Sequence, residues 1–269
     1  LPPVVDVEQA LADGAPLLFE ELGTNVMYRG GQRHGDPDAA FAAADLVVET
    51  RCHTNRHMAA PMEGRGTIAQ YERASDRLTC WTASQTPHWQ RMVLSAYLGI
   101  PEHRVRVITP DVGGGFGQKI TASPEEVVVA ALSRRLSRPV KWVEDRRESL
   151  TSATHAKENV LHLQAAVSRD GRLLGLRARA VGDAGAYSFN TTSVLIEPLP
   201  ACTLMPGVYH LDNYEYEVVG VVTNKTPIAA YRGVGWTAGQ TAREQLFDEI
   251  ARQLDMDPAD FRRKNMIRS

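Results

Sequence analysis

Between residues 111 and 119 the chain reads Asp111-Val112-Gly113-Gly114-Gly115-Phe116-Gly117-Gln118-Lys119, and no other stretch restricts its fold as strongly. Four glycines in five positions exclude the interior of a helix or strand, because glycine loses the most backbone freedom on ordering. They permit positive φ, a tight turn and close approach of the main chain to a ligand, and consecutive amides in such a loop can converge on an oxo group or phosphate. Upstream, Arg104 to Thr109 alternates as a strand; downstream, Ser123-Pro124-Glu125-Glu126 has the arrangement of a capping box before an apolar helix from Val127 to Leu136. The residues alone leave two readings open, a plain strand-to-helix turn and an anion-binding loop. Neither nucleotide motif fits: no beta-alpha-beta unit surrounds a GxGxxG, and Lys119 is followed by Ile120 where a P-loop needs Ser or Thr.

Residues 1 to 44, rich in Pro, Gly, Ala and Asp and broken at Gly30-Gly31 and Gly35-Asp36-Pro37, read as a linker with short elements and the tail of an upstream domain. Strands are expected over Leu46–Thr54, Gly66–Glu72, Arg77–Ser84, Val140–Glu144, Val160–Val167 and Leu173–Val181, the last two joined by an Asp170-Gly171 hairpin turn. Helices are expected from Thr86-Pro87 to Leu98, stopped by Gly99, over Ala238–Leu254 with Ala242, Leu246, Ile250 and Leu254 on one face, and after Asp257-Pro258. Strands and helices mix without regular alternation or repeat, so the fold class is α+β with mixed sheets and packed helices, and residues 45–269 form its one large domain.

Composition removes several functions. Thirty Lys and Arg against 32 Asp and Glu leave a formal charge of −2, without the basic field that sequence-independent nucleic-acid binding needs. Cys52, Cys80 and Cys202 are too scattered for a zinc site, an iron–sulfur cluster or a disulfide framework, which favours a cytoplasmic setting. No apolar run approaches membrane-spanning length, and Leu1-Pro2-Pro3 does not begin a signal peptide.

Three further places can carry chemistry. Gln85, in Ser84-Gln85-Thr86-Pro87-His88, lies where a strand passes into a helix start, so its amide could donate to an oxo ligand or merely bond the backbone. His88 has no second histidine at ligand spacing and reads as a first-turn residue. Arg232, in Ala230-Tyr231-Arg232-Gly233-Val234-Gly235, offers a planar fork of donors for a substrate or anion, or a partner for a carboxylate at a turn. Glu63 and the run Glu144-Asp145-Arg146-Arg147-Glu148 also hold charge, the second reading as a solvated or salt-bridged surface run.

In their order, Pro61-Met62-Glu63, Gln85-Thr86-Pro87-His88, Gly113 to Lys119, Lys141 to Glu148, Ala230 to Gly235 and Asp257-Pro258 with Arg262 and Asn265 resemble the large, molybdenum-binding subunit of xanthine dehydrogenase, aldehyde oxidase and aerobic carbon monoxide dehydrogenase-type enzymes. The resemblance implies a molybdopterin, commonly the cytosine dinucleotide, holding molybdenum through its own sulfurs, so no protein metal ligand is expected. It implies that Gln85 contacts a molybdenum oxygen, that Gly113, Gly114, Gly115, Phe116 and Gly117 approach metal and pterin, and that Arg232 faces the substrate. The implied activity is hydroxylation with oxygen from water, electrons leaving through iron–sulfur clusters and FAD in partner chains.

The family's Gly-x-Gly-Glu general base is missing from these 269 residues, so the isolated chain is expected to be inactive and to need a chain or domain carrying the rest of the site. A non-catalytic pterin-binding or scaffold chain of a split complex is the alternative. Gly233 stands where carbon monoxide dehydrogenases carry cysteine, and Ile120 where purine-oxidising members carry glutamate, which points to an aldehyde or another N-heterocycle as substrate.

Overall fold

The computed structural model describes residues 2–188 and 193–268. In chain order the elements are β1 (Val26–His34), α1 (Pro37–Ala42), β2 (Leu46–Thr54), β3 (Gly66–Glu72), β4 (Arg77–Thr82), α2 (Pro87–Leu98), β5 (Val105–Ile108) and α3 (Pro124–Leu136). There follow β6 (Val140–Val143), α4 (Arg146–Ser152), β7 (Asn159–Val167), β8 (Leu173–Asp183), α5 (Pro198–Thr203), β9 (Tyr214–Val221), α6 (Val234–Gln253) and α7 (Pro258–Asn265). The chain divides into two compact units: one of Leu1–His57, Ala156–Ala229 and Gly233–Ser269, the other of Met58–His155 with Ala230–Arg232. Among the described residues no helix is long and apolar enough to cross a membrane.

The first unit is built on a five-stranded sheet in the order β1-β9-β8-β7-β2, antiparallel except for the β8–β9 pair. Helix α6 covers it with Ala238, Ala242, Leu246, Phe247 and Ile250, which pack with Leu161 and Leu163 of β7 and Val218 of β9. Each such Leu, Ile or Phe contributes about 1.5–3 kcal/mol by leaving water. The helix begins four residues before the expected Ala238 because Gly235 and Gly239 lie inside it. A Cβ on either would strike the main chain of Glu197 or Ala201, so these glycines admit α5 rather than break α6. Where the chain leaves this unit, Arg56 is held by Glu158 and Asp183, both at 2.7 Å, and Lys225 joins the same carboxylates at 2.5 and 2.8 Å. Next to it His57 and Ala156 exchange both backbone hydrogen bonds at 2.9 Å, closing the ladder of β2 and β7.

The second unit has a four-stranded sheet, β5-β4-β3-β6, with β4 and β5 parallel. Ala69, Leu78, Cys80 and Val105 from its inner face pack with Leu94 of α2 and Val129 and Ala130 of α3. Gly99 ends α2 at φ +63°, as the sequence predicts. At the start of α3, Glu126 reaches back to accept the Ser123 amide at 2.7 Å and also accepts the buried Thr82 hydroxyl, tying helix to sheet at the end of β4, three residues before Gln85.

Two expectations need correction. Residues 1 to 44 contain the nine-residue strand β1, paired antiparallel with β9, and helix α1 capped by Asp36. An edge strand with a mostly exposed face carries little apolar alternation, and Gly31 sits where β9 runs so close that any Cβ would meet the Tyr216 carbonyl. The charge run at 144–148 is likewise no uniform surface run: the Glu144 side chain is fully buried against Arg65, and Asp145 and Glu148 form a reciprocal capping box on α4, with bonds of 2.7 and 2.9 Å. Asp145→Ala should therefore lower stability by about 1 kcal/mol, measured as a smaller unfolding free energy in urea with an unchanged slope.

Candidate functional site

All of the sequence-predicted site residues fall within the second unit. The glycine loop leaves regular structure after β5 and turns through Gly114 at φ +95°, Phe116 at +55° and Gly117 at +110°. A positive φ at phenylalanine is costly, and such strain persists only where surrounding contacts over-determine it. Here they do. Gly117 is pressed against Ala230, whose carbonyl any Cβ would strike, and the Phe116 carbonyl accepts the Arg232 amide at 2.9 Å. Phe116 as a residue stays 44% exposed.

Gln85 lies across the loop, its side chain filling the space a Cβ on Gly115 would need. Its Oε1 accepts the amides of Gly117 at 2.9 Å and Lys119 at 3.3 Å, while its own backbone amide donates to the Lys119 carbonyl at 2.9 Å. Two donors on one oxygen fix which way the carboxamide points, so Nε2 is the atom left to donate outward. Among the described residues neither Gln85 Nε2 nor the consecutive amides of Gly114, Gly115 and Phe116 donate a hydrogen bond to protein. The residues therefore present a patch of unsatisfied donors beside an exposed aromatic ring, which suits an oxygen-rich, electron-rich cofactor such as a molybdopterin.

The local sequence does not reveal how this loop is held. The Lys119 side chain is buried, and its Nζ meets Glu63 Oε2 at 2.6 Å; the same oxygen accepts the Gly113 amide at 2.9 Å, and the Glu63 amide donates to the Gly113 carbonyl at 3.1 Å. Lys119, ahead of the Gly113 amide bond, draws the Glu63 carboxyl below its usual range despite some burial. Glu63 stands out in the sequence only as a charged residue within Pro61-Met62-Glu63, and its pairing with the buried Lys119 is the carboxylate that such a lysine demands. Arg232 is exposed and reaches the loop through its backbone, whereas Ile120 is half-buried and its carbonyl accepts the Thr86 hydroxyl at the start of α2. His88 is exposed in the first turn of that helix.

The chain is 44% identical over 266 residues to the nicotine 6-hydroxylase large subunit of Paenarthrobacter nicotinovorans, covering 98% of this chain and 32% of the relative. It is 36% identical over 283 residues to the carbon monoxide dehydrogenase large chain of Hydrogenophaga pseudoflava, covering 100% and 35%. Among solved structures, quinoline 2-oxidoreductase from Pseudomonas putida 86 matches with a TM-score of 0.93 and 42% identity, over 100% of this chain and 34% of that one. The chain thus spans about a third of the length of the curated relatives it matches. The family described as molybdopterin cofactor-binding domain matches residues 18–266, nearly the whole sequence, and the chain belongs to it.

Proposed function

We propose that this chain supplies part of the cofactor cradle of a molybdenum hydroxylase, and that the complete enzyme oxidises a nitrogen heterocycle with water as the oxygen source. The observation that carries the reading is the run of three unpaired amides, Gly114 to Phe116, beside an outward Gln85 Nε2. When bound, the molybdenum group supplies the two-electron oxidation. Gln85, its carboxamide oriented by the Gly117 and Lys119 amides, would hold the group through its outward Nε2 donor. The main-chain amides of Gly114, Gly115 and Phe116 would hold the group from one side, with the exposed Phe116 side chain beside them. The Arg232 guanidinium stabilises negative charge developing on the substrate.

The cofactor is the cytosine dinucleotide form in this reading, with the rest of its site, an iron–sulfur subunit and a FAD subunit supplied by partner polypeptides, all in the cytoplasm. Two relatives above 40% identity, nicotine 6-hydroxylase and quinoline 2-oxidoreductase, bear the names of ring-nitrogen substrates, which favours an N-heterocycle over an aldehyde. Gly233 and Ile120 speak against carbon monoxide and purines. The competing role, a non-catalytic pterin-binding scaffold, shares the loop and differs only in turnover.

The test is expression in a host that makes the cytosine-dinucleotide cofactor, alone and with candidate partner chains, followed by counting molybdenum and released CMP per polypeptide. Near-stoichiometric cofactor with a partner, and faster oxidation of pyridine or quinoline rings than of aldehydes, are expected. Gln85→Ala should lower cofactor retention by about 10- to 100-fold, as for other residues that orient a metal group from outside its ligands. Cofactor without turnover would favour the scaffold, and purine oxidation would sink the substrate assignment.

A further inference from the structure

We propose that Glu63 and Lys119 are positioning residues that set the glycine loop in its cofactor-receptive shape before any cofactor arrives. The inference rests on the reading of the loop given above and assigns the role to a carboxylate that touches neither pterin nor substrate in it. A single oxygen, Glu63 Oε2, binds the first glycine of the run through the Gly113 amide and the far end of the loop through Lys119 Nζ, at 2.9 and 2.6 Å. The Glu63 backbone adds a third link to Gly113, at 3.1 Å. Both ends of the loop thus converge on one side chain, and the three unpaired amides lie between the pinned ends.

That arrangement answers a physical problem. Unsatisfied amides and a phenylalanine at φ +55° favour collapse of the loop onto itself, where the amides would find carbonyl partners. Pinning Gly113 and Lys119 prevents the slack that collapse requires. It also holds Lys119 where its backbone meets Gln85, so the orientation of the Gln85 carboxamide depends on the same brace. The Lys119 side chain is almost wholly buried although that of Glu63 is 41% exposed, so the lysine end is fixed within the unit and holds the carboxylate against it. At the other end, Gly113 lies so close that a Cβ there would stand 2.6 Å from Glu63 Cβ, so no other residue type allows the same approach.

Two readouts test this, amide hydrogen exchange across residues 113–119 in the chain itself and cofactor content of the chain coexpressed with its partners. Glu63→Gln should speed exchange of the Gly113 and Lys119 amides by about tenfold and lower cofactor content by about 10-fold or more. Glu63→Asp, which keeps the charge, should recover part of both. Since Glu63→Gln strands a buried lysine and can unfold the unit, Glu63→Gln combined with Lys119→Met removes both charges. That double variant should fold yet still lose cofactor. Parent-like exchange and parent-like cofactor content in a folded Glu63→Gln or double variant would overturn the proposal. Absence of cofactor from the unsubstituted complex would instead defeat the cofactor reading, and the exchange measurement would still decide whether the brace exists.

Discussion

Arg65→Met should destabilise the second unit by about 3–5 kcal/mol, the range found when one partner of a buried ion pair is removed and the other charge is left unpaired. Arg65 stands at the foot of β3, two residues from Glu63. Its Nε lies 3.1 Å from both Glu144 oxygens, its Nη2 lies 2.9 Å from Oε1, and its backbone amide donates to Oε2 at 2.6 Å. Ser152 accepts from Nη2 at 3.1 Å, and the guanidinium lies 5.5 Å from the centre of the Trp142 ring. The Glu144 side chain is 0% exposed and that of Arg65 10%, so water cannot replace the lost donors. Exchange rates of the Ile68 and Ala69 amides in β3, followed against urea, would report the loss within this unit. Glu144→Leu with Arg65→Met should recover most of it, because a pair of apolar side chains carries no stranded charge. A double variant as unstable as the single one would show that the arginine acts through packing instead.

Glu197→Gln should remove a loss of stability that the first unit otherwise suffers between pH 5 and 8. The Glu197 carboxyl is wholly buried at the start of α5, and burial, opposed by the nearby Lys157 charge, pushes its pKa up from 4.5 to about 7. The folded chain therefore keeps this proton up to about pH 7 while the unfolded chain releases it near 4.5, and between those values the folded state binds more protons. Stability from this group is intact below pH 4.5 and falls as pH rises towards 7. The full fall is on the order of 3 kcal/mol, since each tenfold change in proton affinity is worth about 1.4 kcal/mol. Unfolding free energies of parent and variant at pH 5, 6, 7 and 8 should converge at the acid end and separate at the alkaline end, with Glu197→Gln the more stable there. Parallel curves would mean that the carboxyl is ionised throughout.

Elements with a strong local signal could be read from sequence alone. β2 and β3 fall on their expected limits because polar turns bound runs of suitable period, and α2 carries its own start at Thr86-Pro87 and its own stop at Gly99. β9 had the beginnings of a pattern in Tyr214-Glu215-Tyr216-Glu217, but Val218 to Val221 are buried on both faces and the alternation dissolves. α5 is six residues with prolines at its first and third positions, too short and too interrupted to show a period. At the site, the glycine run and Gln85 were visible because their chemistry is local. Glu63 lies 50 positions before Gly113 in the sequence, and its role appears only once the segment before β3 and the loop are folded side by side.

Where the chain passes from His57 into the second unit and returns at Ala156, the two crossing points are bonded to each other, so residues 58–155 are an insertion between ends already clasped together. Bringing those points together around a hundred unstructured residues would cost about 4 kcal/mol in chain entropy, whereas a folded insert presents its ends already paired. The arrangement makes residues 58–155 one continuous insertion whose removal would leave the His57–Ala156 pair intact. The insertion carries Glu63, Gln85 and the glycine loop as one set, and Ala230–Arg232 lie outside it in the sequence. The loop and Arg232 are thus carried by separate stretches of sequence that meet in one compact unit, where the Arg232 amide donates to Phe116.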